Sequence, residues 1–89
     1  MKTAVYSKQF KRDIKLLKKR GKDIGKLKAV MRHLVEEASL DPKYKDHPLS
    51  GNFSGYRECH LESDWLLIYK CEGSSLYFTS TGTHSDLFG

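Results

Sequence analysis

The spacing of the apolar residues changes partway along the chain, and no other feature of the sequence limits the fold as strongly. Before Ala38 they recur at helical intervals; from Tyr56 onward they alternate or bunch as strand residues do. Helices come first and a run of strands follows, which is the order of an α+β fold rather than of repeating βαβ units.

Within the first half, Thr3 to Tyr6 fits a short strand. Ser7 is a good N-cap, and Phe10, Ile14 and Leu17 then fall at i, i+4 and i+7 on one helix face. Gly21 ends that helix behind Lys18, Lys19 and Arg20, cations suited to its negative end. Asp23 caps a second helix carrying Ile24, Leu27, Val30, Met31, Leu34 and Val35. That helix should stop near Ala38, since Asp41-Pro42 disfavours its continuation. In the second half, Gly51 and Gly55 mark a loop and Tyr56 to Leu61 alternates. Glu62-Ser63-Asp64 reads as a tight turn into Trp65 to Cys71, dense enough for a central strand buried on both faces. Glu72 to Ser75 is another turn, Leu76 to Thr81 the last strand, and Gly82-Thr83-His84 leads to a terminal stub. The expected order is β-α-α-β-β-β, an antiparallel twisted sheet with a two-helix hairpin packed on one face.

The chain is 89 residues, enough for one domain spanning 1–89 with a small core. Ten aromatics and a hydrophobic fraction of 38% are too many for a disordered chain. No apolar run approaches the ~20 residues of a membrane span, so no membrane role is expected. MKTAVYSKQFKRD has no apolar stretch of the secretory kind, and two cysteines make no disulfide scaffold, so a cytoplasmic setting is expected. Charge is divided unevenly: residues 1–45 hold 14 Lys/Arg against 5 Asp/Glu, whereas residues 46–89 hold 2 against 6. A basic first half suits a polyanionic partner such as RNA, or an acidic protein.

Three of the four histidines lie outside the helices. His47 sits in the loop Lys45-Asp46-His47-Pro48-Leu49, His60 ends a strand, and His84 follows the last strand. A two-residue hairpin turn would set His60 across from Trp65 with Asp64 beside them, and the end of the last strand would reach the same rim. Imidazoles, a carboxylate and an aromatic gathered there suit cleavage of RNA without a metal. A 2′-hydroxyl must lose a proton to attack its own 3′-phosphate, the 5′-oxygen must gain one, and histidine titrates near neutral pH. Trp65, Tyr56 or Phe88 would stack on a base, and Lys45 and Arg57 are the local cations for the phosphate. Each residue also has a purely structural reading. His47 would bond its own loop, His60 a backbone partner, and Asp64 would form the turn, with Trp65 in the core and Phe88 pinning the C-terminus. His33 reads as surface.

Metal binding competes weakly. His47, Cys59, His60, Cys71 and His84 are ligand types, yet no CxxC, HxH or HExxH spacing occurs, so no metal or other cofactor is expected. Both cysteines read as small packed hydrophobes.

Three stretches together carry a resemblance: Tyr44-Lys45-Asp46-His47-Pro48-Leu49, the run from Gly55 to Trp65 (GYRECHLESDW), and the run from Thr81 to Gly89 (TGTHSDLFG). In this order they are similar to the YafQ-like toxins of the RelE/ParE superfamily of type II toxin–antitoxin systems. The resemblance implies a ribosome-dependent mRNA endonuclease acting on A-site codons, with lysine codons favoured. It implies a cognate antitoxin whose acidic segment wraps the toxin, 16S rRNA contacts through the basic first half, and operator DNA reached only through the antitoxin. By motif match it implies functional roles for His47, His60, Asp64, Trp65, His84 and Phe88. His60, Asp64 and His84 would share proton transfer, His47 would assist at the phosphate, and Trp65 and Phe88 would position the nucleotide.

One position departs from that pattern. The family carries an arginine four residues before the last histidine; here it is Ser80. Losing one preorganised charged donor costs about 10²–10³ in rate. Either Arg57 or Lys45 substitutes, the nuclease is weakened, or the chain has become an antitoxin-binding, autoregulatory module. A gyrase inhibitor of the ParE kind is a further alternative, although it needs no set of imidazoles.

Overall fold

Ser7 starts the first helix, α1 (Lys8–Lys19), by accepting the Phe10 N–H at 2.9 Å, and its hydroxyl donates to the Thr79 carbonyl at 2.7 Å. One side chain thus caps the helix and ties it to the sheet. The helix ends in a Schellman turn: Lys22 N–H donates to Leu17 O and Gly21 N–H to Lys18 O, both at 3.0 Å. Gly21 takes φ +80°, which its missing Cβ permits. Helix α2 (Ile24–Val35) begins at Asp23 and ends the same way, but the left-handed residue is Glu37, at φ 60°. Its carboxylate pairs with the N-terminal ammonium at 3.1 Å and with Lys2 Nζ at 3.7 Å. That turn stops α2 a few residues before the expected Ala38.

The computed structural model describes residues 1–89. Beyond the helices it contains β1 (Thr3–Tyr6), β2 (His47–Pro48), β3 (Arg57–Glu62), β4 (Trp65–Glu72), β5 (Ser75–Gly82) and a last helix, α3 (His84–Phe88). The strands form one sheet in the order β1-β5-β4-β3-β2, so the densely apolar β4 is its centre. The fold is α+β, as expected, with three corrections. The sheet is mixed, because β1 runs parallel to β5 with Ala4 beside Leu76 and Tyr6 beside Phe78. The direction of β1 depends on how α1 and α2 return the chain across the sheet, which no local pattern encodes. His47–Pro48 adds a two-residue edge strand against Arg57 and Glu58. The terminal stub is a helix, because Thr83 and Asp86 form a capping box.

Phe10, Leu17, Leu27, Val30 and Met31 of the helices pack on Cys59, Leu61, Trp65, Leu67, Tyr69, Leu76 and Phe78 of the sheet. Two bulges set which residues face the helices. An extra residue at Leu61 moves the pairing from His60–Leu66 to Glu62–Trp65, so His60 faces Leu66 rather than Trp65 as expected. An extra residue at Thr79 lets Leu76, Phe78 and Thr81 all turn toward the helices, leaving Ser80 opposite Ile68 on the other face. Cys71 is exposed, correcting its reading as a packed hydrophobe, while Cys59 is buried. No helix is long and apolar enough to cross a membrane.

Candidate active site

The face of β3 turned away from α1 and α2 carries Glu58 and His60, two residues apart and therefore on one side of the strand. The edge strand β2 places His47 beside Glu58. The chain end past β5 brings in His84, and the β3–β4 turn supplies Asp64. The rings form a row: the centroids of His47 and His60 are 6.0 Å apart, and those of His60 and His84 also 6.0 Å.

Carboxylates hold both ends of this row. Glu58, only 7% exposed, sets Oε1 3.1 Å from His60 Nε2 and 3.5 Å from His47 Nε2. His47 Nδ1 lies 2.6 Å from the Lys45 carbonyl. A carbonyl only accepts, so Nδ1 carries a proton, and Nε2 is the nitrogen that faces Glu58. At the other end, Asp64 Oδ1 accepts from the His84 backbone N–H at 2.8 Å and from its ring Nδ1 at 2.6 Å. Those bonds, the backbone one foremost, hold the Asp64 carboxyl below its usual range. His84 is therefore locked with Nδ1 protonated and Nε2 free to take or give a proton.

The first turn of α3 has its own fastening. Asp86 accepts the Thr83 N–H at 2.9 Å, and Thr83 Oγ1 accepts the Asp86 N–H at 3.1 Å. Arg20 clamps the same carboxylate at 2.6 and 3.2 Å. The guanidinium is the main reason the Asp86 carboxyl falls to about 2. Phe88 then meets Phe53 edge to face at 5.3 Å.

Two expected substrate residues lie elsewhere. Trp65 is 1% exposed, on the helix side, with Nε1–H donating to Thr81 Oγ1 at 3.0 Å. A ring so enclosed has no free face for a base. Arg57 shares the Cys59 side of β3, away from His60, and its Nε donates to Asp46 at 3.3 Å. Asp46 also accepts from the Tyr69 hydroxyl at 2.5 Å, so Arg57 lies in a side-chain network on the face of β3 away from the imidazoles. Lys45, in a left-handed turn at φ 51°, lines a cleft of about 400 Å³ beside His60 with Lys26 and Lys43. Cys59 sits behind β3, and burial pushes its thiol up to about 12, far from a nucleophile's range.

Glu58 is the site residue that the sequence reading passed over; its signal was the i, i+2 spacing to His60. The grouping of His47, Glu58 and His60, whose ligand-type atoms lie within 4.8 Å of one another, was likewise invisible in the spacing, which had argued against any metal site.

Residues 2–89 match the family described as the bacterial toxin of type II toxin-antitoxin system, YafQ. The chain is 51% identical over 85 residues to the mRNA interferase toxin YafQ of Escherichia coli K12, covering 94% of this chain and 92% of that one. The fold superposes on YafQ in the E. coli DinJ-YafQ complex with a TM-score of 0.93 at 48% identity, covering 100% of both chains. A metal-bound toxin from Helicobacter pylori is similar at TM-score 0.92 and 44% identity, covering 99% of this chain and 100% of that one. With fold, motifs and nearly every residue aligned, the chain belongs to the YafQ family of type II toxin–antitoxin toxins.

Proposed function

We propose that this toxin is a ribosome-dependent endoribonuclease that cuts mRNA at A-site codons through attack of a ribose 2′-hydroxyl on its own 3′-phosphate. Family membership and the identity to an mRNA interferase support the endoribonuclease activity. The row of three imidazoles braced by Glu58 and Asp64 is the observation that carries the chemistry. One ring takes the 2′-proton while another protonates the 5′-oxygen. His60 and His84 are adjacent members of the row and form that acid–base pair. His47, beside Glu58, steadies the phosphate through a ring N–H. Phe88, 43% exposed, offers a free aromatic face to a displaced base. Lys26, Lys43 and Lys45 line a cleft into which neighbouring phosphates fit. Trp65 acts through the fold, by holding β4 to β5.

The partner that silences this activity is a cognate antitoxin, by analogy with the DinJ-YafQ complex. A groove of about 510 Å³ between α1 and α2 has an apolar floor including Phe10, Ile14, Leu27 and Met31. Its rim carries Lys11, Lys18, Lys28 and Arg32. An acidic amphipathic segment matches both features.

Primer extension on a reporter mRNA after brief expression tests the reading. Discrete in-frame cuts with the wild type, lost in His84→Ala, are expected. Soluble wild-type protein that leaves the message intact overturns it.

A second reading rests on His47, Glu58 and His60. Two imidazoles and a carboxylate within 4.8 Å form a donor set suited to zinc or copper, and one similar toxin is metal-bound. A cation there would occupy ring nitrogens that the nuclease needs for protons, and so act as an inhibitor. Titration with zinc should lower the cleavage rate and chelation restore it; a rate indifferent to both rules the site out.

A further inference from the structure

We propose that Arg20 is a positioning residue for His84, acting through its ion pair with Asp86 on the C-terminal helix. The inference rests on the nuclease reading above. Helix α3 has five residues and buries none of them, so neither its length nor a core contact fixes it. Its place depends on a few polar ties and the contact of Phe88 with Phe53. One tie, from Asp64, reaches His84 itself. The other comes from far earlier in the chain: Arg20 grips Asp86 in fork geometry at 2.6 and 3.2 Å across 66 residues of sequence.

Both partners are built for the contact. Arg20 is the C-cap of α1, its own N–H committed to the Leu16 carbonyl at 3.1 Å, so the guanidinium extends from a fixed point. Asp86 reaches back over Gly82, where a Cβ would meet its Oδ2 at 2.8 Å. Any larger residue at Gly82 would push the carboxylate away. The same carboxylate closes the capping box, so one side chain joins the start of α3 to the end of α1. His84 is the first residue of that helix. Releasing Asp86 frees the backbone that carries the ring, and misplacement by about 1 Å can cost 10²-fold in rate.

Steady-state cleavage on ribosomes programmed with a reporter mRNA tests this, using Arg20→Gln, Asp86→Asn and the double variant. Each single variant should lower kcat about 10-fold to 100-fold with little change in KM, and the double variant should be no worse than either. Asp86→Asn keeps an oxygen for the cap and removes a negative charge, so it should not weaken RNA binding. Unchanged kcat in Asp86→Asn beside a raised KM in Arg20→Gln would mean that Arg20 touches RNA or ribosome, and overturns the inference. So would losses that multiply in the double variant. NMR of the histidine rings gives a readout independent of activity. The His84 resonances should move alike in both single variants while His47 and His60 stay in place; an unmoved His84 refutes the proposal. If the wild type does not cut RNA, the nuclease reading fails, whereas the His84 resonances still decide whether the pair positions the ring.

Discussion

Replacing Trp65 with phenylalanine separates a residue that touches RNA from one that holds the fold. The indole is 1% exposed and donates one hydrogen bond to Thr81 Oγ1. The Thr81 hydroxyl in turn donates to the Leu66 carbonyl at 2.7 Å, so the substitution leaves no donor stranded. Loss of the indole bond costs about 1 kcal/mol, and the unfilled part of the indole site adds about 1–2 kcal/mol. The sum, about 2–3 kcal/mol, should lower Tm by roughly 8–24 °C for a domain of this size. A domain with ordinary reserve stays folded at 20 °C. Cleavage per folded molecule, measured there in single turnover, should therefore change less than about twofold. The melt is followed by circular dichroism on the same sample. A Tm within about 2 °C of wild type together with a loss of cleavage beyond tenfold would refute this reasoning. It would show that the ring leaves the core to meet the nucleotide.

Glu58→Gln keeps the shape of the His47–His60 bridge and removes its charge; cleavage should fall about 10-fold to 100-fold with an altered pH–rate profile, and an unchanged profile argues against the bridge. Ser80→Arg places a cation on the face that carries Glu58 and His60, and should raise cleavage about tenfold; a flat or lower rate shows that the site has been rebuilt without one. Because Asp86 is depressed to about 2 in the fold, its stabilising contribution is complete above the unfolded value near 4 and is lost as pH falls through 2. The α3 amide signals should accordingly shift or broaden between about pH 4 and pH 2, and constancy there would count against the Arg20 clamp. Ribosome affinity should drop steeply between about 50 and 200 mM salt; indifference would exclude docking by the basic half.

How much of this was legible in the sequence varies residue by residue. Ser7, Gly21 and Asp23 announced the ends of α1 and α2 because capping is a contact between near neighbours. Trp65 to Tyr69 announced the central strand because an element buried on both faces is apolar throughout. The Thr83–Asp86 box was equally local, yet a five-residue helix has no apolar stripe to draw attention to it. Trp65 illustrates the opposite limit. Its identity suits stacking and core packing equally, and only the bulge at Leu61 shows which way the strand turns it.

The amino-acid order alone therefore determined the α+β class, the element types, the charge division and the family motifs, since these rest on periodicity, caps and residues close in the chain. The tertiary structure decided the parallel seating of β1 on β5, the pairing of Glu58 with two imidazoles, the enclosure of Trp65 and the grip of Arg20 on Asp86. Each joins parts of the chain whose approach depends on strand order, register and bulges. Those are settled by packing the whole core at once, because a one-residue slip in a strand turns every side chain to its other face.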